Sequence, residues 1–144
     1  MPDDILTTYA QVQPDKPGVI DDKPDGTVVV WTYAELEARS NRVANLLLSL
    51  GTGPGKKVLW CGPNSPEVVA VMSASRKIGA VAVPLNYRLT PEEALYVINH
   101  SDAEVAYVDY YLADGTISKV LETVPYVNLP ADQLAASQAA WAGR

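Results

Sequence analysis

The stretch GAVAVPLNYRLTPEEALYVINHSDAEVAYVD, residues 79–109, contains the pattern that decides the fold class. An apolar run at 80–83 is predicted to be a strand, and polar residues follow it. The capping box TPEE at 90–93 then predicts a helix that extends to about Asn99. A second apolar run at 104–108 predicts another strand. Strand, helix and strand in this order indicate a parallel pair joined by a crossover helix.

The same order occurs upstream. Residues 57–61 are predicted to be a short apolar strand, and Ser65 is predicted to be the N-cap of a helix with Pro66 at its first position. Apolar residues occupy nearly every face of 68–78, so we expect this helix to be deeply buried. Continuously apolar strands are typical of a parallel sheet covered on both faces. The sequence therefore predicts an α/β fold, with a mostly parallel sheet of at least three strands flanked by helices.

A β-hairpin is predicted near the N-terminus. Two strand-like runs, 18–22 and 27–32, flank the turn sequence KPDG at 23–26, in which proline presets φ and glycine accepts a positive φ. A helix follows, for which TYAE at 32–35 is a capping box and Gly51 suits the C-terminal cap. Its apolar stripe consists of Leu36, Val43, Leu47 and Leu50.

The length of the chain fits one domain or subdomain over 1–144. Its last part, 110–144, carries a weaker signal than the rest. There the pattern favours a helix at 117–124 and a short strand at 127–129. The alanine-rich tail at 131–144 is either a terminal helix or a loosely held extension, with Trp141 as its one large anchor.

Composition and charge exclude several classes of protein. The net charge is −6 and the eleven basic residues are scattered, which argues against a nucleic-acid partner. No apolar stretch approaches the roughly 20 residues of a membrane span, and the N-terminus is acidic where a secretion signal is basic. Cys61 is the only cysteine, so neither an internal disulfide nor a thiolate metal cluster is expected. These features predict a cytoplasmic protein without a metal site of its own.

Arg88 is the residue best placed to bind a ligand. It follows the strand at 80–83, and open α/β sheets bind ligands beyond the carboxyl ends of their strands. A guanidinium can clamp a phosphate or carboxylate, and the amide-bearing end of the next helix adds to the attraction for an anion. The alternative is that Arg88 pairs with Glu92 or Glu93, and spacing alone favours that alternative.

The remaining polar features are better explained structurally. GTGPGK at 51–56 has the composition of a phosphate loop, but it follows a helix and leads into a strand, so we predict a cap and turn. CGPNS at 61–65 is predicted to be a structural loop whose serine caps the next helix. His100 lies at a helix end, where the dipole favours a cation. Asp3-Asp4 and Asp21-Asp22 are taken as solvated charges at the terminus and turn, and no residue is expected to be catalytic.

Five landmarks stand in one register between about Pro14 and Asp109. They are Thr32-Tyr-x-Glu-Leu36, Asn41-Arg42, Asn64-Ser65, Gly79-Ala80 and Pro84-Leu-Asn86 with Arg88. In this combination the chain resembles the N-terminal region of the AMP-forming acyl-CoA synthetases. These enzymes belong to the adenylate-forming superfamily, together with luciferases and the adenylation domains of peptide synthetases.

The resemblance implies an acid–thiol ligase that acts in fatty acid metabolism. Family members use ATP and Mg²⁺ to convert a carboxylic acid to an acyl-adenylate with release of pyrophosphate, and the thiol of coenzyme A then displaces AMP. In some members, the arginine that matches Arg88 contacts the phosphorylated nucleotide end of coenzyme A. Arg88 is therefore the one cofactor-binding residue that the resemblance implies in this chain.

The resemblance also shows what these residues do not contain. The phosphate loop with its lysine, the ribose-binding acidic residue, the acyl pocket and the domain with the catalytic lysine have no counterpart here. We therefore expect the N-terminal piece of a larger ligase, inactive and without bound cofactor on its own. Its partner would be the rest of the ligase chain, and the chain alone is expected to expose an apolar face or to self-associate. The alternative is a free-standing, non-catalytic binding or interaction module with the same subdomain fold.

Overall fold

The computed structural model describes residues 4–62, 64–86, 88–89 and 91–108. The helices in these ranges are α1 (Ile5–Val12), α2 (Tyr33–Ser49), α3 (Pro66–Lys77) and α4 (Pro91–Ser101). The strands are β1 (Pro17–Asp22), β2 (Val28–Thr32), β3 (Lys57–Cys61), β4 (Val81–Leu85) and β5 (Val105–Val108). The elements predicted at 117–124 and 127–129, the tail from 131, the cap at Thr90 and the charge of Asp3 lie outside the described residues.

The main sheet has three parallel strands in the order β4-β3-β5. Cys61, the last residue of β3, lies beside Leu85 on one neighbour and Val108 on the other. The chain moves from β3 to β4 on one side and then crosses over to β5 on the other. Right-handed crossovers in opposite directions place α3 and α4 on opposite faces of the sheet. The predicted α/β fold with a parallel sheet and flanking helices is confirmed.

The sheet is buried on both faces, because alternate residues of β3 point to opposite sides. Val58 and Trp60 belong to a core cluster with residues of α2, α3 and β5. The other members of that cluster are Val43, Ala44, Leu47, Val71, Ala74, Ala80 and Val105. Leu59 and Cys61 face the other way and are also buried, as is Ile98 of α4. Two covered faces account for the unbroken apolar sequence of β3.

The N-terminal hairpin is confirmed as an antiparallel pair of β1 and β2. In its turn, Gly26 has a φ of 84° and donates its amide to the carbonyl oxygen of Lys23 at 2.9 Å. The inner face of the hairpin carries Trp31, which packs in a second cluster with Leu6 and Leu36. Asp21 and Asp22 are the last two residues of β1, directly before the turn, and Asp22 is exposed.

Local caps fix both ends of α2 as predicted. Thr32 Oγ1 accepts from the amide of Glu35 at 3.2 Å, and the Glu35 carboxylate accepts from the amide of Thr32 at 2.8 Å. At the other end Gly51, with φ 80°, donates to the carbonyl of Leu48, and Thr52 donates to that of Leu47. This Schellman pattern confirms that 51–56 opens with a cap and turn rather than a phosphate loop.

Three boundaries or caps differ from the sequence-based expectation. β4 continues through Pro84 to Leu85, which the sheet tolerates because β4 is an edge strand among the described residues. α4 ends at Ser101, two residues later than predicted. Ser65 precedes α3, but its side chain makes no capping hydrogen bond and its buried Oγ has no hydrogen-bond partner. Ser65 is therefore the N-cap residue of α3 with Pro66 after it, as predicted, but its side chain does not make the capping hydrogen bond.

The helix α1 was not predicted, and it gives Asp4 a different role from the expected one. Asp4 is the N-cap of α1, and its Oδ2 accepts from the amides of Leu6 and Thr7. The same carboxylate pairs with Arg76 Nε at 2.7 Å and with Lys77 Nζ at 3.2 Å. Asp4 is therefore mostly buried in ion pairs with α3, and the prediction of a solvated charge is wrong.

Candidate functional site

The loop that follows β4 begins with a closed turn. Leu85 is buried at the end of the strand, whereas Asn86 and Arg88 are exposed. The amide of Arg88 donates to Asn86 Oδ1 at 3.0 Å, and the amide of Leu89 donates to the carbonyl oxygen of Asn86 at 3.2 Å. Arg88 is thereby held one turn beyond the carboxyl end of β4 and shortly before α4 begins at Pro91.

This loop lies at the carboxyl edge of the parallel sheet, because β4 ends at Leu85 and the chain then leaves the sheet. Open α/β sheets bind ligands beyond the carboxyl ends of their strands. The position predicted for Arg88, beyond the end of a strand and before a helix, agrees with this geometry. The turn made by Asn86 was missed, although an asparagine two residues before the arginine is a recognisable signal for it.

The charge of Arg88 suits a phosphate or a carboxylate, because a guanidinium is always protonated and offers several donors. The start of α4 nearby adds the positive end of a helix dipole. Arg88 and Glu93 are both exposed. The alternative in which Arg88 pairs with a glutamate of α4 stays open.

The thiol at the end of β3 is not activated. Cys61 is buried at the end of that strand, and burial raises the pKa of its thiol to about 11. A thiol of this kind stays protonated near neutral pH and is a poor nucleophile. The structural role predicted for the loop at 61–65 stays a prediction, and the buried Oγ of Ser65 has no hydrogen-bond partner.

The other titratable groups do not assemble into a catalytic or metal site in the part of the chain that the structure describes. His100 lies in the last turn of α4, as expected, and its ring stacks on Tyr96 with centroids 5.4 Å apart. Within the same residues, no three His, Cys, Asp or Glu side chains lie close enough together to hold a metal ion. The described residues therefore show no assembled group of metal ligands.

A polar cluster where α1, α2 and α3 meet is structural. Lys77 Nζ lies 2.9 Å and 2.8 Å from the two carboxylate oxygens of Glu37, and it donates to Thr7 Oγ1 at 2.8 Å. Asp4 completes this cluster, which we call the α1 clamp, through its pairs with Arg76 and Lys77. The α1 clamp contains two acidic and two basic side chains, and it joins α1 to α2 and α3.

Comparison with known proteins identifies the family to which these residues are similar. The sequence profile described as "AMP-binding enzyme" matches residues 6–142. The chain is 47% identical over 78 residues to the 3-hydroxybenzoate–CoA/4-hydroxybenzoate–CoA ligase of Thauera aromatica, a match that covers 54% of this chain and 15% of that protein. It is 35% identical over 101 residues to the long-chain-fatty-acid–CoA ligase FadD13 of Mycobacterium tuberculosis, which covers 70% of this chain and 20% of that protein.

A solved structure agrees with these relatives. The fold matches the inhibitor-bound N-terminal domain of FACL13 from Mycobacterium tuberculosis with a TM-score of 0.75 and 29% identity, covering 90% of this chain and 34% of that one. The resemblance found in the sequence, to the N-terminal region of adenylate-forming CoA ligases, is confirmed. The chain spans a fifth or less of the length of the two curated relatives. No helix among the described residues is long and apolar enough to cross a membrane.

Proposed function

Because the chain belongs to the family of AMP-binding enzymes, we propose that it is the N-terminal part of an AMP-forming acyl- or aryl-CoA ligase. Such a ligase joins a carboxylic acid to ATP, releases pyrophosphate, and transfers the acyl group to the thiol of coenzyme A. The observation that carries this proposal is the profile match over residues 6–142, together with the shared fold. Mg²⁺ is proposed as the ion that accompanies ATP. The single cysteine supports a cytoplasmic location.

The acid is either aromatic or aliphatic. One relative is named as a hydroxybenzoate–CoA ligase and another as a long-chain-fatty-acid–CoA ligase. Fatty acid metabolism, expected from the sequence, is therefore one of two substrate classes to test. Pyrophosphate release by the complete ligase with 3-hydroxybenzoate and with a long-chain fatty acid would distinguish them. Failure to release pyrophosphate with any carboxylic acid of either class would contradict the proposed function.

We propose that Arg88 binds the phosphates of coenzyme A. Three features support this role: the arginine is exposed, it follows the carboxyl end of β4, and the helix α4 begins close to it. All three favour an anion at this edge of the sheet. The nucleotide end of coenzyme A carries phosphates, so its charge and its hydrogen-bond acceptors fit these donors.

Replacement of Arg88 by alanine tests this assignment in the complete ligase. A charge-assisted hydrogen bond is worth roughly 1.5–3 kcal/mol, so Arg88→Ala is expected to raise the KM for coenzyme A by about 10- to 100-fold. Pyrophosphate exchange without coenzyme A should change little. Arg42→Ala, which removes an exposed arginine from α2, is the matched control and should leave both values unchanged. A lower melting temperature with both half-reactions slowed alike would instead indicate a structural ion pair.

The 144-residue chain on its own is proposed to be inactive, since it spans a fifth or less of its curated relatives. Phosphoryl chemistry depends on positioned donors and a metal ion, which the described residues do not assemble. Mixed with ATP, Mg²⁺ and either class of acid, the chain should release no more pyrophosphate than a blank without protein. Release above the blank, from a preparation free of longer ligase, would overturn this prediction. Binding without chemistry would favour the free-standing module.

A further inference from the structure

We infer that Asn86 is a positioning residue for Arg88, an inference that rests on the role proposed above for Arg88. Asn86 Oδ1 accepts the hydrogen bond from the amide of Arg88 at 3.0 Å. The backbone oxygen of Asn86 accepts a second bond from Leu89 at 3.2 Å. Side chain and backbone of one residue therefore close the turn on both sides of Arg88.

The turn fixes the backbone of Arg88 relative to the end of β4. Leu85 is buried and paired in register with Cys61, so the residue next to it starts from a fixed position. Arg88 is exposed, and the turn ties its backbone to that fixed position. A cation that is already in place loses less conformational freedom when it binds an anion.

The chemistry of asparagine suits this position. Asparagine and aspartate close such turns well because their acceptor reaches the amide two residues on, whereas serine does so more weakly. Aspartate would make the same bond but would bring a negative charge next to a group proposed to bind phosphate. Asparagine provides the acceptor without that charge.

The test uses the complete ligase with Asn86 replaced by alanine, glutamine or serine. Alanine removes the acceptor, and glutamine keeps an amide on a side chain too long for the turn. Loss of one neutral hydrogen bond corresponds to roughly a five-fold change, so we expect Asn86→Ala and Asn86→Gln to raise the KM for coenzyme A about five-fold. Asn86→Ser should restore part of the loss. The kcat at saturating coenzyme A and the pyrophosphate exchange should stay unchanged.

A double variant shows whether Asn86 acts through Arg88. If it does, Asn86→Ala combined with Arg88→Ala should have the same KM as Arg88→Ala alone. A further rise in the double variant would mean that Asn86 acts independently of Arg88 and would overturn the inference. So would a lower melting temperature with both half-reactions slowed.

The same measurements separate this inference from the role of Arg88 itself. If Arg88→Ala raises the KM and Asn86→Ala does not, only the positioning role of Asn86 is wrong. If Arg88→Ala leaves the KM unchanged, the assignment of Arg88 is wrong and the inference about Asn86 fails with it.

Discussion

Asp102 has a backbone φ of 54°, the only positive value for a residue other than glycine in the described ranges. It directly follows α4, where its amide donates to the carbonyl of Asn99 at 3.4 Å. The corresponding positions after α2 and α3 are Gly51 and Gly79, with φ of 80° and 72°. A side chain in this conformation costs roughly 1–2 kcal/mol, although aspartate is among the better tolerated residues.

We therefore expect Asp102→Gly to raise the free energy of unfolding by about 1 kcal/mol, measured by urea denaturation of the chain. Asp102→Ala keeps a Cβ atom at the same φ and is the matched control, with no gain expected. A glycine variant no more stable than the natural chain would mean that local hydrogen bonds of Asp102 offset its strain.

At the scale of elements, the attachment of α1 through the α1 clamp depends on whether the carboxyl group of Asp4 is ionised. Burial raises the pKa of Asp4, but the hydrogen bonds and charges of Arg76 and Lys77 outweigh it, so the pKa lies below its ordinary value of 3.8. A group whose pKa is lower in the folded state stabilises the fold above its unfolded pKa. That contribution is lost as the pH falls through the folded value.

Asp4→Asn tests this coupling, because asparagine is also a good N-cap but carries no charge. At pH 7 we expect the variant to be less stable by about 1 kcal/mol, a cautious value for partly exposed pairs. The difference should shrink towards zero as the pH falls below the ordinary pKa of the carboxyl. Thermal unfolding of both proteins at several pH values measures it, and a difference that stays constant down to low pH would exclude the ion pairs as its source.

At the scale of the whole molecule, the outer face of the N-terminal hairpin is apolar although it is exposed to solvent. Antiparallel sheets with one face in water usually alternate apolar and polar residues. Here the inner face packs on α1 and α2, yet the outer face carries Ile20, Val28 and Val30, which are 63%, 55% and 44% exposed. Ile20 and Val30 are directly opposite each other in the pair. Such a surface favours association.

We predict that the isolated chain self-associates through this outer face, as expected from the sequence. Ile20→Thr with Val30→Thr keeps β-branched residues but makes the face polar, and should shift the chain towards monomer. Val81→Thr is the matched control, because Val81 is half exposed on the other sheet. Sedimentation velocity over a wide concentration range measures the effect. A natural chain that is monomeric throughout would contradict this prediction.

The parts of this fold that the sequence predicted are those determined by neighbouring residues. Thr32 with Glu35, and Gly26 in its turn, act within a few positions. The helix α1 has a local N-cap in Asp4, but only Leu6 is buried in the core, and the ion-pair partners of Asp4 lie on α3, distant in sequence.

The candidate site shows the same division. The order of strand, Arg88 and helix was readable from the sequence. The position of β3 between β4 and β5, which sets where the end of β4 and Arg88 lie in the sheet, depends on contacts distant in sequence. Ser65 was assigned from the preference of serine for caps, and its actual rotamer depends on tertiary packing that sequence preference does not contain.

The central place of β3 has a consequence for synthesis on the ribosome. β4 follows β3 closely and can pair with it early, but β5 must emerge from the tunnel before the other flank is covered. At about 5–20 residues per second, the residues between Leu85 and Val108 take roughly one to five seconds to translate. During that interval the nascent chain exposes one full edge of β3, whose last four residues are buried in the finished fold. Translation speed over this segment, rather than final stability, then sets how long the edge of β3 is open to chaperones or to another nascent chain.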